Sequence, residues 1–133
     1  MDYSILVQKA QEAKEHSYSI YSHFRVGAAL LTADDIIYQG CNIESSSYSL
    51  TICAERTALF KAMSEGVRKF KAIAVTSDLK DLCPPCGACR QVLWDLCGNI
   101  DVILANTDGQ YSVMQMKDLL PLAFGDEKLQ EAR

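Results

Sequence analysis

The stretch FKAIAVTSDLKDLCPPCGACRQVLWDLCGNIDVILA, residues 70–105, decides the fold class. Its first part, 70–76, is a short apolar run typical of a buried strand. Residues 86–97 have helical spacing that ends at Gly98, and 100–105 form a second apolar run. A strand, a helix and a strand in succession predict an α/β protein in which helices pack on a sheet.

The rest of the chain extends this alternation in both directions. The other predicted elements are helices at about 3–16 and from Cys53 to Gly66, strands at 25–32, 36–41 and 111–114, and short helices at 116–120 and 126–132. The order of helices and strands favours one layered fold around a single sheet. We find no internal repeat and no Pro/Gly-rich linker, so we expect one domain over residues 1–133.

Composition and charge exclude several classes of protein. Of the 133 residues, 49% are hydrophobic, but no apolar stretch reaches the length of a membrane span. The first residues lack the basic and apolar regions of a secretory signal, so we expect a cytoplasmic protein with no membrane partner. The formal net charge of −4 and the lack of a basic run argue against a nucleic-acid partner.

Six cysteines in a protein of the reducing cytoplasm are poor candidates for disulfides, and clustered ones predict metal ligands. Cys86 and Cys89 follow Pro84-Pro85 across the first turn of a predicted helix, and Cys53 stands where another helix begins. The positive end of a helix stabilises thiolate, which is the form that binds metal. We therefore predict that these three cysteines bind one Zn²⁺ per chain.

Three protein ligands leave the fourth position of a tetrahedral zinc site free for water, which is typical of a catalytic site. Glu55, in the first turn after Cys53, could take the proton of that water. Arg56 could donate hydrogen bonds to the thiolates and offset their negative charge, or it could form an ordinary surface ion pair. The main alternative is a closed zinc or iron–sulfur site in which Cys83 is a fourth ligand.

The chain resembles the small, homotetrameric cytidine deaminases that bind zinc through three cysteines. Beyond the two zinc motifs, Cys53-Ala54-Glu55-Arg56 and Pro85-Cys86-Gly87-Ala88-Cys89-Arg90, the resemblance is carried by Tyr21-Ser22-His23-Phe24-Arg25-Val26-Gly27-Ala28-Ala29, Gly40-Cys41-Asn42-Ile43-Glu44, Tyr48-Ser49 and Leu119-Leu120-Pro121 with Ala123-Phe124. Zinc deaminases share a motif in which the first ligand is His, and Cys53 stands at that position here. The resemblance implies a three-layer α-β-α fold with a central mixed five-stranded sheet.

The resemblance also implies a reaction, the zinc-dependent hydrolytic deamination of cytidine and deoxycytidine to uridine and deoxyuridine in pyrimidine salvage. In that reaction a zinc-bound hydroxide attacks C4 of the base, Glu55 moves the protons and ammonia leaves. A rival within the same fold is a deaminase of a related substrate such as blasticidin S.

Substrate-contacting residues are implied by the same resemblance. Asn42 and Glu44 match residues that hydrogen-bond the ribose hydroxyls, Phe24 packs on the nucleoside, and the Ala54 backbone contacts the base. Phe124 matches an aromatic residue that reaches into a neighbouring subunit's site, which implies a homotetramer. Taken without the resemblance, these residues would be interpreted as an ordinary turn and core aromatics. A carboxylate beside the sugar would repel a phosphate and so favour a free nucleoside.

Overall fold

The computed structural model describes residues 2–125. Within that range the elements are α1 Ser4–Lys14, β1 Val26–Thr32, β2 Ile37–Cys41, α2 Ala54–Ser64, β3 Phe70–Ser77, α3 Gly87–Cys97, β4 Asp101–Ala105, β5 Tyr111–Gln115 and α4 Met116–Leu119, with one 3₁₀ turn at Tyr48–Leu50. Every predicted element in this range is present, with bounds that agree to within two residues. The helix predicted at 126–132 lies outside the described residues.

The strands form one five-stranded sheet in the order β2-β1-β3-β4-β5. β3 and β4 are parallel, because α3 crosses over between them, and the other three pairs are antiparallel. In the parallel pair, Ala72 lies opposite Asp101 and Val75 opposite Leu104. The prediction of a mixed five-stranded sheet is confirmed.

Helices cover both faces of the sheet, because apolar side chains that alternate along its strands point to both sides. Ala28 and Leu30 of β1 pack in one core with residues of α2, α3 and α4. Ala29 and Leu31, which point to the other side, pack in a second core with α1. Two apolar faces, each covered by helices, give three α-β-α layers, and this part of the prediction is also confirmed.

Gly40 of β2 brings the sheet into backbone contact with α2. A Cβ at this position would lie 2.4 Å from the Ala58 nitrogen and 2.5 Å from the Ala54 oxygen. Only glycine allows so close an approach, because any side chain would collide with backbone atoms. This contact fixes the position of the first two turns of α2 against the sheet.

Within residues 2–125, no helix combines the length and the apolar character required to cross a bilayer.

Candidate active site

Three thiols converge where α2 and α3 begin. Cys53 is the N-cap residue of α2, Cys86 is the N-cap residue of α3, and Cys89 lies in the first turn of α3. Their sulfur atoms all lie within 4.8 Å of one another, and the distance between Cys53 Sγ and Cys86 Sγ is 3.5 Å. The Cys89 N–H donates to Cys86 Sγ over 3.5 Å. Two helix N-termini therefore face one group of sulfur atoms, an arrangement that favours thiolate.

The spacing of these sulfur atoms fits a single metal ion. Tetrahedral zinc with Zn–S bonds of about 2.3 Å places its sulfur ligands about 3.8 Å apart. Among the described residues, the potential metal-ligating cluster consists of Cys53, Cys86 and Cys89 and does not include Cys83. The Cys83 thiol is buried instead beside the Pro84 carbonyl, at 3.9 Å. The donor set thus fits three-thiolate ligation and does not favour the four-cysteine alternative.

Arg56 lies against the thiol cluster. Its Nη2 donates to Cys53 Sγ over 3.3 Å, and its Nε is buried with no hydrogen-bond partner within residues 2–125. Hydrogen bonds from Cys89 and Arg56 lower the pKa of the Cys53 thiol. The hydrogen bond between Cys89 and Cys53 in turn raises the pKa of the Cys89 thiol. The guanidinium therefore stabilises negative charge on the cluster.

Glu55 is a buried carboxyl group at the same place. Glu55 follows Cys53 by two residues and is 3% exposed. Burial raises the pKa of Glu55 to about 7, and the charge of Cys53 adds to the rise. A carboxyl group with a pKa near neutrality can both accept and return a proton under physiological conditions.

A pocket of about 190 Å³ opens beside the thiols and Glu55. Six of the residues predicted from the sequence line it: Phe24, Asn42, Cys53, Ala54, Glu55 and Cys86. Five further residues line it: Val26, Thr51, Val75, Cys83 and Pro84. Sequence analysis considered only Cys83 among them, as a fourth ligand, and missed the other four. The position of Pro84 just before the CxxC motif is a local signal, whereas Val26 and Val75 reach the pocket through the pairing of β1 with β3.

Asn42 holds the backbone that carries Phe24. Its side chain is 8% exposed, its Oδ1 accepts from the Val26 N–H at 3.0 Å and from the Ser17 hydroxyl, and its Nδ2 donates to the Phe24 oxygen at 2.7 Å. Two residues further along, Glu44 also accepts hydrogen bonds from this segment: its Oε1 accepts from the Tyr21 and Ser22 N–H groups, each at 3.0 Å. Both side chains thus fix the segment before β1, and Asn42 also faces the pocket.

Phe124 lies apart from the pocket of its own chain in the described structure. Its ring is 56% exposed, and its carbonyl oxygen accepts from Gln91 Nε2 at 2.8 Å. The contact of Phe124 with a neighbouring subunit's site therefore stays a prediction.

Comparisons with known proteins agree with this arrangement. The family model for the cytidine and deoxycytidylate deaminase zinc-binding region matches residues 2–105. A cytidine deaminase of Sporosarcina psychrophila is 51% identical over 133 residues, which cover 99% of this chain and 98% of the relative. The cytidine deaminase of Halalkalibacterium halodurans is 50% identical over 98% of this chain and 100% of the relative. The crystal structure of a cytidine deaminase from Burkholderia pseudomallei superposes on this chain with a TM-score of 0.90 at 46% identity. The match covers 93% of this chain and 100% of the Burkholderia chain. The fold, the thiol cluster and these relatives together show that the chain belongs to the cytidine and deoxycytidylate deaminase family.

Proposed function

We propose that the protein is a zinc-dependent hydrolase that deaminates cytidine and deoxycytidine to uridine and deoxyuridine with release of ammonia. The observation that carries this proposal is the buried Glu55 carboxyl in a pocket beside three converging thiols. The names of the full-length relatives supply the substrate class, and the geometry supplies the residues for the reaction.

Cys53, Cys86 and Cys89 would hold the zinc, and their number leaves a coordination position free. When bound, zinc supplies a Lewis acid that lowers the pKa of a water molecule from 15.7 toward about 7. Three thiolates exceed the charge of a divalent cation by one, and the Arg56 guanidinium offsets that excess through its bond to Cys53.

Glu55 carries the protons. Its carboxylate takes one proton from the water that attacks C4 of the base and delivers it to N3. It then takes the second proton of that water from the hydroxyl group now on C4 and passes it to the 4-amino group, so that ammonia can leave. The C4–N4 bond breaks as the C4=O bond of the product forms, and one water is consumed for each ammonia released. The raised pKa of Glu55 suits both directions of transfer.

The rest of the pocket binds and orients the nucleoside. Phe24, Val26 and Val75 form an apolar wall that can pack on a flat base and exclude water, and the Ala54 backbone, which also lines the pocket, would contact the base edge. Asn42 and Glu44 would bind the sugar hydroxyls. The negative charge of Glu44 disfavours a phosphorylated substrate, so a nucleoside is preferred to a nucleotide.

The resemblance to the family also supports a proposal about assembly and setting. We propose one domain over residues 1–133, a homotetramer in which Phe124 completes a neighbour's site, and a role in pyrimidine salvage in the cytoplasm. The exposure of the Phe124 ring leaves it available for such a contact.

Loss of the 4-amino chromophore, followed spectrophotometrically, tests the function directly. Purified, zinc-loaded protein is incubated with cytidine, deoxycytidine, deoxycytidylate and blasticidin S. We expect turnover of both nucleosides and a kcat/KM for deoxycytidylate lower by at least about tenfold, because a phosphate would approach Glu44. Absence of turnover with either nucleoside, or a preference for blasticidin S, would contradict the proposal.

A further inference from the structure

The segment Ser17–Phe24, here called the Phe24 segment, connects α1 to the start of β1 and carries an aromatic wall of the pocket. Two backbone hydrogen bonds attach it to the chain after β2: the Tyr18 N–H donates to the Asn42 oxygen at 3.0 Å, and the Glu44 N–H donates to the Tyr18 oxygen at 2.8 Å. His23 has φ of 59°, a left-handed conformation that non-glycine residues seldom adopt. The surrounding contacts must therefore hold this turn, which precedes Phe24 directly.

Ser22 hydrogen-bonds both Glu44 and the backbone of Phe24. Its hydroxyl donates to Glu44 Oε2 and accepts from the Phe24 N–H at 3.0 Å. Its own N–H donates to Glu44 Oε1 at 3.0 Å. One small side chain thus connects the carboxylate proposed to bind the sugar with the backbone of the aromatic residue proposed to pack on the nucleoside.

The hydrogen bonds to Glu44 leave room for a single further donor. Oε1 already accepts the N–H groups of Tyr21 and Ser22, which fill its two lone pairs. Among residues 2–125, Oε2 accepts only the Ser22 hydroxyl and so keeps one lone pair. The bonds from Ser22 lower the pKa of Glu44, so the group is a carboxylate at neutral pH and a strong acceptor for a neutral hydroxyl.

We propose that Ser22 is a positioning residue for sugar recognition, an inference that rests on the function proposed above. Its hydroxyl orients the Glu44 carboxylate so that the remaining lone pair of Oε2 accepts one hydroxyl of the nucleoside sugar. Loss of the Ser22 hydroxyl therefore weakens binding of substrates that carry sugar hydroxyls and leaves binding of a substrate without them unchanged.

The test compares cytidine with 2′,3′-dideoxycytidine, which lacks both hydroxyls of the lower sugar edge. We measure kcat and KM for cytidine and the inhibition constant of dideoxycytidine against cytidine turnover, in the wild type and in Ser22→Ala. We expect the KM for cytidine to rise about tenfold, the loss typical of a hydrogen bond to a charged group, with kcat little changed. The inhibition constant of dideoxycytidine should change less than about twofold, since no bond to Glu44 is lost.

Two further variants separate positioning from a general effect on the fold. Ser22→Thr keeps a hydroxyl and should restore the KM for cytidine to within about threefold of the wild-type value. Ser49→Ala removes the hydroxyl of an exposed serine whose only side-chain hydrogen bond among the described residues is with the Ser47 hydroxyl, at 3.4 Å, and it should match the wild type.

Equal loss of affinity for cytidine and dideoxycytidine in Ser22→Ala would overturn the proposal, because it would show that Ser22 only supports the pocket. An unchanged KM for cytidine would also overturn it. Failure of the proposed function is distinguishable from both outcomes, since the wild-type protein itself would then not turn over cytidine.

Discussion

Arg56 Nη2 donates a hydrogen bond to Cys53 Sγ over 3.3 Å, from a position one helical turn further along α2. This contact places a permanent positive charge against a cluster whose three thiolates would outweigh the charge of one divalent metal ion. The start of α2 thus carries Cys53, the proposed zinc ligand, together with Arg56 and Glu55.

Arg56→Gln should keep the fold but impair the metal centre. Without the guanidinium the pKa of the Cys53 thiol rises, so protons compete better with zinc. We expect about a tenfold loss of kcat/KM for cytidine and easier removal of zinc by a chelator at pH 6 than in the wild type. Arg68→Gln, which removes an exposed arginine with no contact to the cluster, is the control. Equal zinc retention and activity in Arg56→Gln and the control would contradict this role.

Cys83→Ser should retain zinc and most of the activity, because Cys83 is not a member of the thiol cluster. A small loss of stability, about 1 kcal/mol, is expected because the Cys83 side chain is buried. The matched variant is Cys86→Ser, whose side chain is exposed, so serine there removes a proposed ligand with little disturbance of packing. Metal analysis of both proteins should show zinc in Cys83→Ser and its loss in Cys86→Ser. Loss of zinc from Cys83→Ser would contradict this prediction and support ligation by four cysteines.

Gly40→Ala should destabilise the protein by about 3 kcal/mol, because its methyl group would collide with backbone atoms of α2 at 2.4 and 2.5 Å. Activity should fall as well, since α2 carries Cys53 and Glu55 at its start. Urea unfolding measures the stability. Gly87→Ala is a matched control, because a Cβ there meets nothing within 4 Å. Equal stability of the two variants would show that the contact between β2 and α2 is not tight.

Asp78 gives a pH-dependent contribution to stability. Arg25 donates to its two oxygens at 2.8 and 2.9 Å and Lys14 Nζ lies 3.1 Å away, and these contacts lower the pKa of Asp78 to about 2 from its usual 3.8. A carboxyl group with a lowered pKa stabilises the fold above its unfolded pKa and loses that effect as pH falls through its folded pKa.

Asp78→Asn should therefore lower the free energy of unfolding at pH 7 by about 1 kcal/mol, after allowance for solvent screening of a side chain that is 36% exposed. The difference between wild type and variant should shrink between pH 4 and pH 2, which urea titrations at several pH values would measure. Asp35→Asn, which breaks an exposed 2.7 Å pair with Lys71, should cost less than about 0.5 kcal/mol throughout. A difference for Asp78→Asn that does not change with pH would contradict the assigned pKa.

Much of the fold was accessible from the sequence because its signals are local. The strand–helix–strand pattern at 70–105 and the cysteines at two predicted helix starts depend on residues close together in the chain, and the structure has all these elements. The order of the strands depends on pairing between distant segments, such as β1 between β2 and β3, and periodicity alone does not determine it.

The parts of the site that the sequence did not predict are also non-local. The hydrogen bonds of Asn42 and Glu44 depend on how the Phe24 segment returns to the chain after β2. Val75 reaches the pocket because β3 pairs with β1, and the Ser22 hydroxyl donates to Glu44, 22 residues further along the chain. Composition and spacing carry no signal for such contacts, whereas ligand types and helix starts do.

The role of Glu55 as proton carrier is tested most directly by the cytidine turnover of Glu55→Gln, measured with the zinc content of the same preparation. Glutamine has nearly the same shape but cannot take a proton, so we expect about one zinc per chain and a kcat at least about a thousandfold below that of the wild type. Glu65→Gln, at the exposed end of α2, should keep both zinc and activity. If zinc-loaded Glu55→Gln deaminates cytidine at a rate close to the wild type, Glu55 is not the proton carrier and the proposed mechanism is wrong.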